Sequence, residues 1–171
     1  MPLLEIKAPI TARNATLVLA VSGWVDSGSV ATNAAAALTR QGRTVAVFDP
    51  DEIYDYRSVR PEVDFAGDGT TEVRWPSLSL AAVSHQSVDL LVLSGTEPNL
   101  KWRAIASELA GLASTVEVAR VISLGAVPAA VPHTRPTPIM VTSDDPDIPP
   151  VGLPEGTFTV PGAIVNVIGH Q

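Results

Sequence analysis

The chain has 171 residues, 46% hydrophobic and 17% charged, which fits one globular domain with a substantial core and excludes wholesale disorder. Its formal net charge is −7 with no basic stripe to offset it locally, so nucleic-acid binding is disfavoured. It has no cysteine, which removes disulfides and thiolate chemistry and agrees with a cytoplasmic location; no apolar run approaches the ~18–20 residues that span a bilayer, and Met1 to Arg13 lacks a signal-peptide layout.

The chain opens on a polar lead-in, Pro9 to Asn14. Ala15 to Val21 is an unbroken apolar run ending near a glycine, which predicts a strand buried on both faces. Gly23-Trp24-Val25-Asp26-Ser27-Gly28 follows, and then a helix over Ser27–Thr39 rich in alanine. Asp26 or Ser27 is placed to cap that helix, and Gly42 to end it in a left-handed conformation. Thr44 to Phe48 is a second short strand closed by Asp49-Pro50-Asp51. Strand, helix and strand predict a parallel, right-handed βαβ unit.

Asp51 to Pro61 holds both tyrosines, Tyr54 and Tyr56, with Arg57 and Arg60. A solvated loop with its tyrosines folded on the core is one reading; an interface or pocket wall is the other, since interfaces favour tyrosine and arginine. Gly67 to Thr70 is a turn. Thr71–Trp75 and Leu78–Val83 predict two short strands paired around Pro76. His85 reads as a lone surface histidine. Val88 to Leu93 is the third core strand, Leu100 to Ala113 a helix, and Val116 to Leu124 the fourth core strand. A mostly parallel sheet with helices on its faces is the expected architecture. Beyond Val127 the prolines thicken, and long irregular connections are expected, with short elements over Ile139–Thr142 and Thr157–Val160.

The strand-end turns carry the candidate chemistry. In an open α/β sheet the strand C-termini gather along one edge, where ligands bind. Asp26, Glu97, His133 and Arg135, with Asp49, would converge there, and such a cleft suits hydrolysis or phosphorolysis. The other reading of the same residues, and the one the sequence favours, is a set of caps and ion pairs that fix loops. The Gly23–Gly28 turn is not a Walker loop, because no lysine–serine/threonine pair follows, and an acid at a helix N-terminus would repel phosphate. No Gly-x-Ser-x-Gly elbow or metal-ligand spacing is present, so neither a metal nor another cofactor is expected.

Four blocks, taken in order, resemble one family. These are Gly23-Trp24-Val25-Asp26-Ser27-Gly28 and Phe48-Asp49-Pro50-Asp51 through Asp55-Tyr56-Arg57 to Arg60-Pro61. Then come Ser94-Gly95-Thr96-Glu97-Pro98 with Lys101-Trp102-Arg103, and Gly125-Ala126-Val127-Pro128 with Val131 to Pro136. Together they look like the PAC2 family, whose name comes from a proteasome assembly chaperone, and like its actinobacterial branch in particular. The resemblance implies a single α/β domain, a three-layer α/β/α sandwich similar to purine nucleoside phosphorylases. It also implies self-association and a role with proteasome subunits. Relative to that branch the chain looks shortened at its C-terminus. The expected function is a non-enzymatic assembly or interaction protein whose contact residues are Trp24, Tyr54, Tyr56, Arg57 and Trp102. The alternative is a nucleoside or phosphate-ester binding protein or enzyme, with Gly23, Asp26, Ser27, Gly28, Glu97, His133 and Arg135 as its cleft.

Overall fold

A computed structural model describes residues 2–85, 88–153, 159 and 161–169, and of His85 the backbone alone. The described residues fall into two compact units, 1–127 with 162–171, and 128–161.

The first unit is built on a six-stranded mixed sheet. Its strands are β1 (Leu4–Ile6), β2 (Thr16–Ser22), β3 (Arg43–Phe48), β6 (Leu78–His85), β7 (Val88–Thr96) and β8 (Arg120–Ser123), in the spatial order β1-β3-β6-β7-β2-β8. A separate hairpin pairs β4 (Glu62–Phe65) with β5 (Thr71–Arg74). The helices are α1 (Val30–Leu38), α2 (Pro50–Ile53), α3 (Trp102–Thr115) and α4 (Ile164–Gly169).

The α/β class stands, but the sheet is not mostly parallel. Of the strand pairs in this sheet, β7–β2 and β2–β8 are parallel, whereas β1–β3, β3–β6 and β6–β7 are antiparallel. The helix between β2 and β3 does carry the chain to a strand of the same direction, yet β7 and β6 lie between the two. Nor does Thr71–Arg74 pair with the strand after Pro76. It folds back on Glu62–Phe65 through the Gly67–Thr70 turn, while Leu78–His85 pairs with β7, where Val88 stands opposite His85.

Side chains alternate along β2 as the pleat requires. Leu17, Leu19 and Val21 enter a large apolar cluster with Phe48, Leu91, Leu93, Ile105, Leu109 and Ile164. Val18 and Ala20 enter a smaller one with Ala31, Ala35, Val83 and Val92. Burial of each large side chain contributes roughly 1.5–3 kcal/mol, so β2 and β7, fed from both clusters, anchor the unit. The small cluster is lined by alanines from α1, which lets that helix approach the sheet closely.

The element boundaries shift for local reasons. Ser27–Ser29 forms a separate 3-10 turn, and Ser29 is left-handed at φ 56°, so α1 starts at Val30. Gly42 has no positive φ; its place is set by space, since a Cβ there would lie 2.9 Å from Val83 Cγ2. Lys101 is left-handed at φ 57°, so α3 starts at Trp102 and leaves Leu100 exposed before it. α3 then runs on to Thr115, and the start of the run expected as a strand, from its C-cap Val116 to Ala119, is spent on the turn that leaves the helix; β8 keeps only Arg120–Ser123 and is exposed along its length. β1, too short to show a period, is held at both ends. It pairs with β3, and the Leu3 and Leu4 N–H groups donate to the Glu108 carboxylate at 2.8 and 2.7 Å.

The second unit is irregular, as its prolines require. Val141 and Val151 form an isolated antiparallel bridge, in place of the strand expected over Ile139–Thr142. Gly152 is left-handed there, and a Cβ would meet the Ile139 carbonyl oxygen at 2.3 Å. Of the element expected over Thr157–Val160, all but Thr159 lies outside the described residues, as does the His85 side chain.

Candidate functional site

β2 and β7 run side by side in parallel and end together at Ser22 and Thr96, which are register partners. The turns that leave them are locked to each other. The Glu97 N–H donates to the Ser22 carbonyl, and a Cβ on Gly23 would meet Glu97 Oε2 at 2.7 Å. Only glycine leaves the Glu97 side chain room to cross the turn.

Both acids of the expected cleft are engaged. Asp26 is 9% exposed, and its Oδ1 accepts the N–H groups of Ala31 at 2.8 Å and Thr32 at 3.3 Å. Its Oδ2 accepts the Thr32 hydroxyl at 2.6 Å. Asp26 thus caps α1 from upstream of the 3-10 turn, with its negative charge at the positive end of the helix. Its backbone forms a parallel bridge with Ala126, and the Ser27 N–H donates to the Ala126 carbonyl at 2.9 Å. Glu97 Oε1 accepts the N–H of Ile164 at 2.9 Å, the first residue of α4. The first unit therefore places Asp26 and Glu97 at adjoining strand ends, each fixing a helix start. His133 and Arg135 belong to the second unit, where the Arg135 N–H closes a turn on the Pro132 carbonyl at 3.0 Å. Asp49 caps α2 by accepting the Asp51 N–H at 3.1 Å. Among the described residues no three histidine, aspartate or glutamate side chains gather as a metal ion would need.

The aromatic residues divide. Trp24 projects from the turn and is 50% exposed. Tyr54 is 3% exposed and belongs to the large cluster, with its hydroxyl donating to the Thr96 carbonyl at 2.7 Å. Burial pushes its hydroxyl well above the usual tyrosine range. Tyr56 is half-buried; it donates to Asp51 Oδ1 at 2.5 Å, and that bond raises its pKa to about 12. Its ring meets Trp75 edge-on, with centroids 4.9 Å apart. Trp102 leans on the core and donates its indole N–H to the Pro98 carbonyl at 2.6 Å. Arg57 is exposed, in a turn held by Asp55, which accepts the Arg57 N–H at 3.0 Å. That bond and the Ser58 hydroxyl keep the Asp55 carboxyl below its usual range. Lys101 pairs with Glu52 and lowers the Glu52 carboxyl in the same way.

A cavity of about 400 Å³ opens at the ends of β2 and β7, walled by Ser22, Val59, Arg60, Glu62, Arg74, Trp75, Pro76 and Thr96. Arg60, Arg74 and Trp75 were not singled out as site residues. Their signal in the sequence is faint: arginines and a tryptophan set beside Pro61 and Pro76, on either side of a polar turn.

The PAC2 family profile matches residues 20–170. A PAC2 family protein from Streptomyces avermitilis is 34% identical over 91% of this chain and 68% of its own, with a TM-score of 0.76. A Corynebacterium glutamicum protein of unknown function is 29% identical over 98% of this chain and 66% of its own, with a TM-score of 0.84. A proteasome-assembly chaperone homologue from Mycobacterium tuberculosis is 31% identical over 90% of this chain and 67% of its own, with a TM-score of 0.74. The chain thus spans about two thirds of the length of these solved relatives. No curated protein sequence matches it. The four blocks of the sequence, the strand-end turns built from them and the match over residues 20–170 agree: the chain belongs to the PAC2 family.

Proposed function

We propose that the chain is a non-enzymatic assembly or interaction protein that holds proteasome-related subunits through its strand-end loops. The observation that carries this is the Gly23–Ser29 turn. Asp26 ties it to α1 and to Ala126, so the half-exposed Trp24 is presented on a fixed backbone. A rigid aromatic anchor binds a protein surface with little entropy to lose. The Mycobacterium tuberculosis relative, a proteasome-assembly chaperone homologue, supports the class of partner. The engagement of Asp26 and Glu97 as caps argues against the enzymatic alternative, which needs them free for nucleoside or phosphate-ester chemistry.

A three-layer, phosphorylase-like α/β/α sandwich is supported by two core clusters that draw alternate residues of β2 and different helices. Self-association is supported by the exposed apolar edge strand β8. Among the described residues no helix is long and apolar enough to cross a membrane, and the absence of cysteine agrees with the cytoplasm.

The test is capture of subunits from the host lysate by tagged protein, read by native mass spectrometry. Wild type should retain proteasome α-subunits, and Trp24→Ala should lose most of them at unchanged thermal stability. Capture of α-subunits by neither protein, or equally by both, overturns the proposal.

A further inference from the structure

The cavity at the ends of β2 and β7 contains one cation that nothing in the described residues neutralises. Arg74 is fully engaged: its guanidinium pairs with Glu62 at 3.0 Å and with Asp64 at 2.5 Å. Arg60, on the same wall, has no carboxylate within ion-pair distance among the described residues. Most other arginines also have none among the described residues; what sets Arg60 apart is its place on the wall of a cavity. Beside it Trp75 is 56% exposed, and its ring is held by Tyr56, itself anchored on Asp51. The strand-end partners Ser22 and Thr96 complete the floor; their carbonyls are used by Glu97 and Tyr54, while their hydroxyls have no hydrogen bond among the described residues. Arg60, the half-exposed Trp75, Ser22 and Thr96 thus line one space of about 400 Å³, within the range of small-molecule pockets.

We propose that this cavity is a binding site for a small aromatic carboxylate, with the carboxylate on Arg60 and the ring against Trp75. Guanidinium and carboxylate match as a planar bidentate pair, and indole offers a stacking face. A monoanion suits the site better than a phosphate ester. Among the described residues one unpaired positive charge lines it, because the other cation on the wall, Arg74, is already held by Glu62 and Asp64. The site uses neither Asp26 nor Glu97, and it stands independently of the assembly reading.

The experiment is calorimetric titration of the full chain with 2-naphthoate, 2-naphthamide and 2-naphthyl phosphate. Saturable one-to-one binding of naphthoate is expected in the low-millimolar range or below, with the amide weaker by about tenfold or more. Arg60→Gln should weaken naphthoate by a similar factor and leave the thermal midpoint unchanged, because the side chain is exposed. Trp75→Leu should weaken naphthoate and naphthamide together. No saturable binding of naphthoate, equal binding of acid and amide, full binding by Arg60→Gln, or tighter binding of the phosphate each overturns the proposal. Should Trp75→Leu fail to fold, Arg60→Gln decides alone.

Discussion

The Asp26 carboxylate and the Thr32 hydroxyl meet at 2.6 Å, which joins the turn after β2 to the first turn of α1. With the Ala31 N–H on its other oxygen, Asp26 is the cap of the helix. Asp26→Ala strands these donors and should lower the free energy of unfolding by about 1–3 kcal/mol. Thr32→Val removes one bond of the set and should cost about 1 kcal/mol. The two losses should not add, because they share a partner. Urea unfolding of the single and double variants measures the coupling, and strict additivity would show that the bond carries no stability.

Tyr54 and Tyr56 sit two residues apart and have opposite roles. Tyr54→Ala opens a cavity in the large cluster and should cost about 3–5 kcal/mol, whereas Tyr54→Phe loses only the bond to Thr96, about 1 kcal/mol. A Tyr54→Ala variant that lost partner capture would therefore report unfolding, not a lost contact. Thermal denaturation separates the two.

Alkaline pH should unfold the protein through the same tyrosines. Both hydroxyls hold their protons more tightly when folded: Tyr54 because it is buried, Tyr56 because it donates to Asp51, which places it at about 12. Above the ordinary tyrosine value near 10, the unfolded chain has released protons that the folded chain still binds. Stability is thus fully present below about pH 10 and falls as pH rises from there through the folded values. Tyr54→Phe should flatten this decline, and chemical unfolding between neutral and strongly alkaline pH measures it. An unchanged slope would sink the assignment.

Most of the framework was legible because it is written in continuous apolar runs. Ala15–Val21, Thr44–Phe48 and Val88–Leu93 each became a strand, and Asp26 became a cap as the residue type suggested. The order of the strands was not legible. A run such as Leu78–Val83 shows that a strand exists, but its neighbours, β3 and β7, are chosen by packing across the sheet. Val116–Leu124 misled because it straddles a helix end, where Glu117 turns left-handed at φ 55°. The division between buried Tyr54 and exposed Arg57 depends on the frame set by α2, a four-residue helix that has no period to read. Trp75 joined a cavity because a hairpin closed in three dimensions beside Tyr56, which no local pattern announces.

Among the described residues β8 pairs with β2 on one side alone, and it exposes Val121 at 46% and Ile122 at 40%. A short apolar edge is a ready pairing surface. Ile122→Lys should shift the proposed homo-oligomer toward monomer in light scattering while leaving the fold intact, since the side chain lies at the surface. An oligomer unaffected by the lysine would exclude this edge from the contact.

Gly95 and Gly67 test how far the strand-end geometry depends on glycine. Gly95 has φ +138°, and a Cβ there would lie 2.0 Å from the Ser77 carbonyl oxygen, whose bond to the Thr96 N–H closes the end of β7. Backbone atoms cannot step aside as a flexible side chain can. Gly95→Ala should therefore cost about 3 kcal/mol and should disturb the Tyr54–Thr96 bond alongside. At Gly67, φ lies outside the positive region and a Cβ would meet nothing within 4 Å. There alanine mainly restricts the unfolded chain, and Gly67→Ala should raise stability by about 0.4–1 kcal/mol. Urea midpoints of the two variants should move in opposite directions. If Gly95→Ala were as stable as wild type, the close approach of Ser77 would not be part of the folded state in solution.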